Sequence, residues 1–478
     1  MKVKDTRTNQ LLEFEPINPP KVNMFVCGPT VYDHAHIGHA RTFIAFDIIA
    51  RYLRYKGYDL FYIMNITDID DKIIKRAKEE NSTWHEIARK YEKSFLEDME
   101  ALGNKEQINL FARATDYIPQ IIDQISRLIE RGYGYVTKSG VYYRVRKFED
   151  YGRLSKINPD ELLAGARIEV NEEKEDPRDF VLWKFRDPSN KFEPSWDSPW
   201  GPGRPGWHIE DTAITEAHFG PQYDVHGGAI ELIFPHHEAE IAQMEGASGK
   251  KPLVKYWLHT GLLNISGQKM SKSLKNFITI KEALNRWGKN SFRMFIASAH
   301  YRNPIDYSEE LILNAKQKVS RIERFYFRLK EFIEENHRDS ISSKQEQELL
   351  SLIENSRQRF IDAMDNDFNT PEALSVIFEF IKEINKALDE NIINHNIAEK
   401  ALGFIEKEFF YIFGLEFNNV LSTNDDLVKQ LIELLIEIRH ELRSKKDYKL
   451  SDKIRDRLKE LGIILEDKAD KTTWHADF

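Results

Sequence analysis

Cys27 is the only cysteine among 478 residues, and it stands nine residues ahead of His36, which opens a His-Ile-Gly-His string ending at His39. A lone thiol cannot form an internal disulfide, so Cys27 is a core residue, a metal ligand or a nucleophile. His36 and His39 offer two imidazoles that can donate to phosphate oxygens, and Gly38 between them lets a nucleotide approach the backbone. Far downstream, behind Gly267, comes Lys269-Met270-Ser271-Lys272-Ser273. Two lysines three residues apart on a small polar loop can close over a triphosphate and neutralise charge as pyrophosphate leaves. Taken singly, the strings also read as a satisfied core histidine pair and an exposed basic turn. Together and in this order they point to chemistry on ATP phosphates.

The elements around them fit that chemistry. KVNMFVCG is a short apolar run, GHARTFIAFDIIARYLRYKG has apolar residues at helical spacing up to Gly57, and GYDLFYIMNITD is strand-like again. This β-α-β pattern predicts a Rossmann-like, doubly wound parallel sheet with its ligand beyond the carboxyl ends of the strands. Cys27 and the two histidines then fall on a strand-to-helix connection, where unpaired helix N–H groups favour anions. From about Glu106 to Ser198 the chain reads as an insertion, at whose end DPSNKFEPSWDSPWGPGRPGW is crowded with Pro, Gly and Trp, after which AITEAHFG, YDVHGGAIELIF and YWLHTGLLNI resume the sheet. Val319, Ile322, Phe325, Leu329, Phe332 and Ile333 recur at helical spacing, and Thr370-Pro371 is placed to cap and start a further helix. Such a helical domain suits a stabilising bundle or an RNA-docking platform equally.

These patterns predict an α/β protein with an inserted module, a helical bundle and a small C-terminal domain. The expected spans are 1–105 and 199–267 for the two halves of the sheet domain and 106–198 for the insertion. The lysine loop and its surroundings take 268–315, the bundle 316–420 and the terminal unit 421–478. With 41% hydrophobic and 31% charged residues and no long apolar run, the chain reads as soluble with no membrane partner. The opening MKVKDTRTNQ holds no apolar segment to act as a signal peptide, so a cytoplasmic location is expected. The formal net charge of -9 argues against a polyanion partner, but Arg439 to Lys459 gathers nine Lys or Arg against four Asp or Glu, about +5 locally. A solvated helical face and a polyanion site explain that segment equally well.

Beyond these readings, FVCGPTVYDHAHIGHARTFIAFD, NITDIDDKIIKRA, FVLWK, GRPGWHIE, FPHHEAEIAQ, KMSKSLKNF, HYRNPIDYSEE and NDFNTPEAL occur in order along nearly the whole chain. Together they resemble the cysteinyl-tRNA synthetases, class I aminoacyl-tRNA synthetases. The resemblance implies activation of L-cysteine by ATP, with Mg²⁺ accompanying the nucleotide, and transfer of the cysteinyl group from its adenylate to the 3′ end of tRNA(Cys). His36, His39, Lys269 and Lys272 are then the residues that stabilise phosphate charge. Gly28, Thr67, Trp207 and His226 match positions near the amino acid, and Glu231 stands where the family usually has an Asp near the ribose. A monomer is expected.

The resemblance also implies one Zn²⁺ that recognises the substrate thiol, held by two cysteines, a histidine and a glutamate. Three of the matching positions are Cys27, His236 and Glu240; the fourth carries Asp211 in place of cysteine. Carboxylate oxygen is an acceptable zinc ligand at about 2.0–2.2 Å against about 2.3 Å for thiolate, at equal charge, but a site with fewer sulfurs is less selective for zinc. At the C-terminus the resemblance assigns Arg443, Tyr448, Asp452 and Asp467 to anticodon contacts, with Tyr448 where an aromatic ring stacks.

Overall fold

Alternation along the first long strand decides which side of the molecule carries the chemistry. In β1 (Lys21–Val26), Val22, Met24 and Val26 join one buried cluster while Phe25 and then Cys27 join another, on the opposite face. The next strand, β2 (Asp59–Ile66), repeats the pattern, with Tyr62, Met64 and Ile66 on the first face and Ile63 on the second. Between them runs α1 (Ile37–Tyr55), which ends at Lys56 with Gly57 at φ 87°, the left-handed geometry that terminates helices. The computed structural model describes residues 1–158, 173–265, 267–269, 277–335, 341–417, 425–467 and 472–476.

Three further strands complete a five-stranded sheet: β3 (Leu110–Arg113), β4 (Tyr223–Ala229) and β5 (Val254–Thr260), in the order β5-β4-β1-β2-β3 with every pair parallel. The chain winds outward from β1 in one direction and from β4 in the other, so the carboxyl ends of these two neighbours form the switch-point crevice of a doubly wound sheet. Helix α1 covers one face; α2 (Trp207–Phe219) and α3 (Glu238–Ser248) cover the other, where they meet Cys27. This is the expected fold class.

Three details differ from the sequence reading. AITEAHFG belongs to α2 rather than to a strand; residues 209–215 of that helix are all buried, so its apolar run lacks the 3.6-residue period that marks a helix. Leu110–Arg113, inside the span read as insertion, pairs with β2, while the insertion's own antiparallel sheet (134–136, 140–143, 180–185) extends to Gly203–Pro205. Asn369, not Thr370, caps the helix Thr370–Asp389, its side chain accepting from the Glu372 N–H.

The C-terminal half is helical. Helices Glu309–Glu334, Ser343–Asp365, Thr370–Asp389 and His395–Phe404 pack around a core that is continuous with the α1 face of the sheet. Helices Asp425–Ser444 and Tyr448–Glu460 and the hairpin Ile463–Asp467/Thr472–Ala476 form the terminal unit. Among the described residues no helix is long and apolar enough to cross a membrane.

Candidate active site and metal centre

The crevice between β1 and β4 gathers side chains from four segments. Cys27 leaves β1 with its N–H donating to the Gly227 carbonyl of β4 (3.0 Å). Asp211 comes from the second turn of α2, and His236 and Glu240 come from the irregular turn before α3 and from α3 itself. All four are buried, and one ligand atom of each lies within 4.8 Å of every other. Cys27 Sγ is 3.6 Å from Asp211 Oδ2, which is 3.0 Å from His236 Nε2, itself 3.1 Å from Glu240 Oε1. The structure therefore brings together the four positions matched by motif.

Several features of this cluster call for a cation. Ligands at zinc-bond lengths around a tetrahedron stand about 3.3–3.8 Å apart, close to the spacings found. Among the described residues neither carboxylate oxygen of Glu240 accepts a hydrogen bond, although both are sealed from solvent and face His236 Nε2 at 3.1 Å and His226 Nδ1 at 3.5 Å. His236 Nε2 faces two carboxylate oxygens at once, while its Nδ1 is engaged by His208 Nδ1 at 2.8 Å. Burial, then the Asp211 and Glu240 charges, push the Cys27 thiol up. Burial, then Asp211, likewise pushes Glu240 up. A divalent ion is the charge that reverses both shifts. The residues present thus fit a metal with one protein sulfur.

A second layer of imidazoles surrounds that sulfur. His237 Nε2 lies 3.1 Å and His226 Nε2 3.4 Å from Cys27 Sγ. His237 Nδ1 meets His259 Nε2 at 2.8 Å, His259 Nδ1 meets Thr6 Oγ1 at 2.9 Å, and His226 Nδ1 meets the Tyr223 hydroxyl at 2.6 Å. Burial holds all three rings below the ordinary histidine range, so they are neutral; His259 orients His237, and Tyr223 orients His226. His226 was expected near the amino acid. His237, His259, His208 and Tyr223 were not singled out, although the second histidine of FPHH and the histidine of YWLHTG were available signals.

Around the same opening, Trp207 stacks on His236 with ring centroids 4.3 Å apart. The Thr67 hydroxyl donates to Glu210, whose carboxyl is pushed up by burial and then by Asp211. Gly28 donates its N–H to Asn65 Oδ1 at 2.6 Å, and a Cβ on Gly28 would sit 1.9 Å from the Asn65 carbonyl oxygen, so only glycine fits there.

The histidine pair at the start of α1 is a reciprocal cap. His36 Nδ1 accepts from the Gly38 and His39 N–H groups (3.1 and 3.3 Å), and the His36 N–H donates to His39 Nδ1 (3.2 Å). The rings stack at 3.8 Å. Because Nδ1 accepts in both, a neutral ring carries its proton on Nε2. Burial keeps His39 well below the usual histidine range, so it is neutral. Glu231 is exposed on the turn after β4. Lys269 lies in a short strand paired to Leu263–Ile265; Lys272 and most of its loop lie outside the described residues.

The chain matches known proteins over nearly its whole length. A family model described as the class I (C) tRNA synthetase catalytic domain matches residues 13–317, and a DALR domain model matches residues 359–418. A cysteine–tRNA ligase of Thermoplasma acidophilum is 45% identical over 474 residues, 99% of this chain and 100% of the relative. One of Thermococcus kodakarensis is 48% identical over 478 residues, 99% of this chain and 98% of the relative. The chain belongs to the cysteine–tRNA ligase family. It is therefore a class I aminoacyl-tRNA synthetase, an ATP-dependent ligase that activates L-cysteine and transfers it to the 3′ end of tRNA(Cys). The fold is shared more widely: methionyl-tRNA synthetase of Mycobacterium tuberculosis with methionyl-adenylate superposes with a TM-score of 0.62 at 16% identity, covering 82% of this chain and 89% of that one.

In the terminal unit, Tyr448 is 57% exposed at the start of its helix. Asp467 accepts both Arg439 guanidinium nitrogens (2.7 and 2.6 Å) and one from Arg443 (3.2 Å), which holds it well below the carboxylate range. Asp452 pairs with Arg455 at 3.2 Å. Two of the four expected tRNA-contact residues, Arg443 and Asp467, are thus tied to each other within the protein.

Proposed function

We propose that cysteine is selected over serine at a metal centre formed by Cys27, Asp211, His236 and Glu240. The observation that carries this reading is the convergence of those four side chains in one buried cluster, with neither Glu240 oxygen accepting a hydrogen bond among the described residues. Zinc bound there supplies a Lewis acid that favours a substrate sulfur as thiolate, a preference that a hydroxyl meets poorly. The protein's part is orientation. Trp207 holds the His236 ring, and His226 and His237 present Nε2 atoms toward Cys27 Sγ. Thr67, whose hydroxyl donates its hydrogen bond to Glu210, offers oxygen lone pairs to the substrate ammonium. Absence of a side chain at Gly28 leaves room against the backbone.

The carboxylate of cysteine then attacks the α-phosphate of ATP, the bond to pyrophosphate breaks, and cysteinyl-adenylate forms. His36 and His39 donate from Nε2 to phosphate oxygens as charge develops, reinforced by the N-terminal end of α1. Lys269 and Lys272 neutralise the departing pyrophosphate together with Mg²⁺, and Glu231 receives the ribose hydroxyls. Attack by the terminal ribose hydroxyl of tRNA(Cys) on the carbonyl carbon completes the transfer and releases AMP. The bundle and terminal unit hold the tRNA, with Arg443, Tyr448, Asp452 and Asp467 at the anticodon. The enzyme works as a monomer in the cytoplasm.

ATP–pyrophosphate exchange tests the selectivity. Exchange should depend on cysteine and stay near background with serine, and loss of metal should abolish it. Equal exchange with serine, or full cysteine-dependent exchange in metal-free protein, contradicts the reading.

A further inference from the structure

Asp211 is a carboxylate where the resemblance implies a thiolate, and this creates a positioning problem. A thiolate has a single donor atom. A carboxylate has two, and can ligate through either or both. Something must choose the oxygen if Asp211 is to replace a sulfur at one corner of a tetrahedron.

Asn65, at the end of β2 and 2% exposed, is placed to make that choice. The Gly28 N–H can only donate, so the 2.6 Å contact to Asn65 fixes the amide with Oδ1 toward Gly28 and Nδ2 away from it. Nδ2 donates to Asp211 Oδ1 at 2.6 Å. That occupies one oxygen and leaves Oδ2 facing Cys27 Sγ at 3.6 Å and His236 Nε2 at 3.0 Å. One amide thus ties the residue after Cys27 to Asp211, joining two of the four ligand-bearing segments. The same Nδ2 is 3.4 Å from Thr67 Oγ1, a longer contact that ranks second.

We propose that Asn65 is a positioning residue that makes Asp211 a one-oxygen metal ligand, and that its donor arm matters because residue 211 is an aspartate. The proposal rests on the metal reading above and adds a requirement specific to this chain. Groups that orient metal ligands typically change metal affinity about 10–100-fold when removed.

The test is zinc affinity of the full-length protein, measured by competition with a chromogenic chelator, for five forms: wild type, Asn65→Ala, Asn65→Asp, Asp211→Cys and the double variant Asn65→Ala with Asp211→Cys. Asn65→Ala should weaken zinc binding at least tenfold in the wild-type background and less than threefold with cysteine at 211, because the Gly28 contribution is common to both. Asn65→Asp keeps an acceptor for Gly28 but sets a carboxylate against Asp211, and should lose at least as much. Equal losses in both backgrounds, or wild-type affinity in Asn65→Asp, overturn the proposal while leaving the metal reading intact. Wild-type protein that takes up no zinc overturns the metal reading, and this proposal with it.

Discussion

Replacing Gly28 by alanine tests whether the distance between β1 and β2 sets the chemistry. The added Cβ would lie 1.9 Å from the Asn65 carbonyl oxygen, 3.0 Å from that carbonyl carbon and 3.0 Å from Met64 Cγ. Ordinary contact begins at about 3.4 Å, so the Cys27–Gly28 turn must retreat by roughly 1.5 Å or β2 must yield. Retreat also stretches the 2.6 Å bond from the Gly28 N–H to Asn65. Overpacking of this kind costs about 1–3 kcal/mol in stability. Function should suffer more, because metal ligands tolerate about 0.2 Å and a misplacement of about 1 Å can cost on the order of 10²-fold in rate. Cysteine-dependent pyrophosphate exchange of Gly28→Ala is expected to fall about 100-fold in kcat/KM while the protein stays folded by circular dichroism. Gly403→Ala is the control: its Cβ meets nothing within 4 Å and it lies inside a helix, so it should leave activity unchanged. A Gly28→Ala enzyme with exchange within threefold of wild type would refute the reasoning.

Other outcomes follow from single side chains. Tyr448→Ala should lower aminoacylation of tRNA at least tenfold while leaving pyrophosphate exchange intact; loss of both activities contradicts its assignment to the anticodon. Arg293 is fully buried and donates to the Phe413 and Leu102 carbonyls (2.8 and 2.9 Å), to Asn104 and to Asp47, joining α1 to the end of the bundle. Arg293→Met leaves Asp47 with Arg51 at 2.9 Å as its remaining ion pair and takes a donor from the Phe413 and Leu102 carbonyls, and should cost about 3 kcal/mol in denaturant unfolding; a loss below about 1 kcal/mol would contradict this. Asp98 is raised to about 6, by burial first and then by Glu97. A carboxyl with a raised folded pKa opposes folding once it ionises, so its penalty is absent below the unfolded pKa near 4 and grows as pH rises through 6. Asp98→Asn should therefore match wild-type Tm at pH 4 and exceed it at pH 7, and a constant difference across that range is the contrary result.

Much of the site could be read from the chain because its chemistry is carried by short strings. The histidine pair falls on a β-α connection, and the cap observed at His36 is a local structure whose parts are three residues apart. The pairing of His236 with Glu240 follows from an i, i+4 spacing. What stayed hidden depends on contacts across the fold. Asn65 reads as an ordinary strand residue until β2 is set beside Gly28 and Asp211, and His259 acquires a role only when β5 reaches His237. The misread of AITEAHFG has a similar origin, because the turns of that helix at 209–215 are covered on all sides and show no solvent face. Leu110–Arg113 is four residues long at the edge of the sheet, too short for a periodic signal. The charge of the terminal unit was visible, but not that Arg439 and Arg443 share Asp467, since that carboxylate lies beyond the basic segment.

The visible spectrum of the cobalt-substituted protein tests most directly whether cysteine is recognised through a metal that already carries one protein sulfur. Cobalt(II) loaded into the site should show a thiolate charge-transfer band from Cys27 that grows when cysteine is added and stays constant with serine. A band unchanged by cysteine, or cobalt bound with no thiolate band at all, would contradict the assignment of Cys27 and the substrate thiol to one metal.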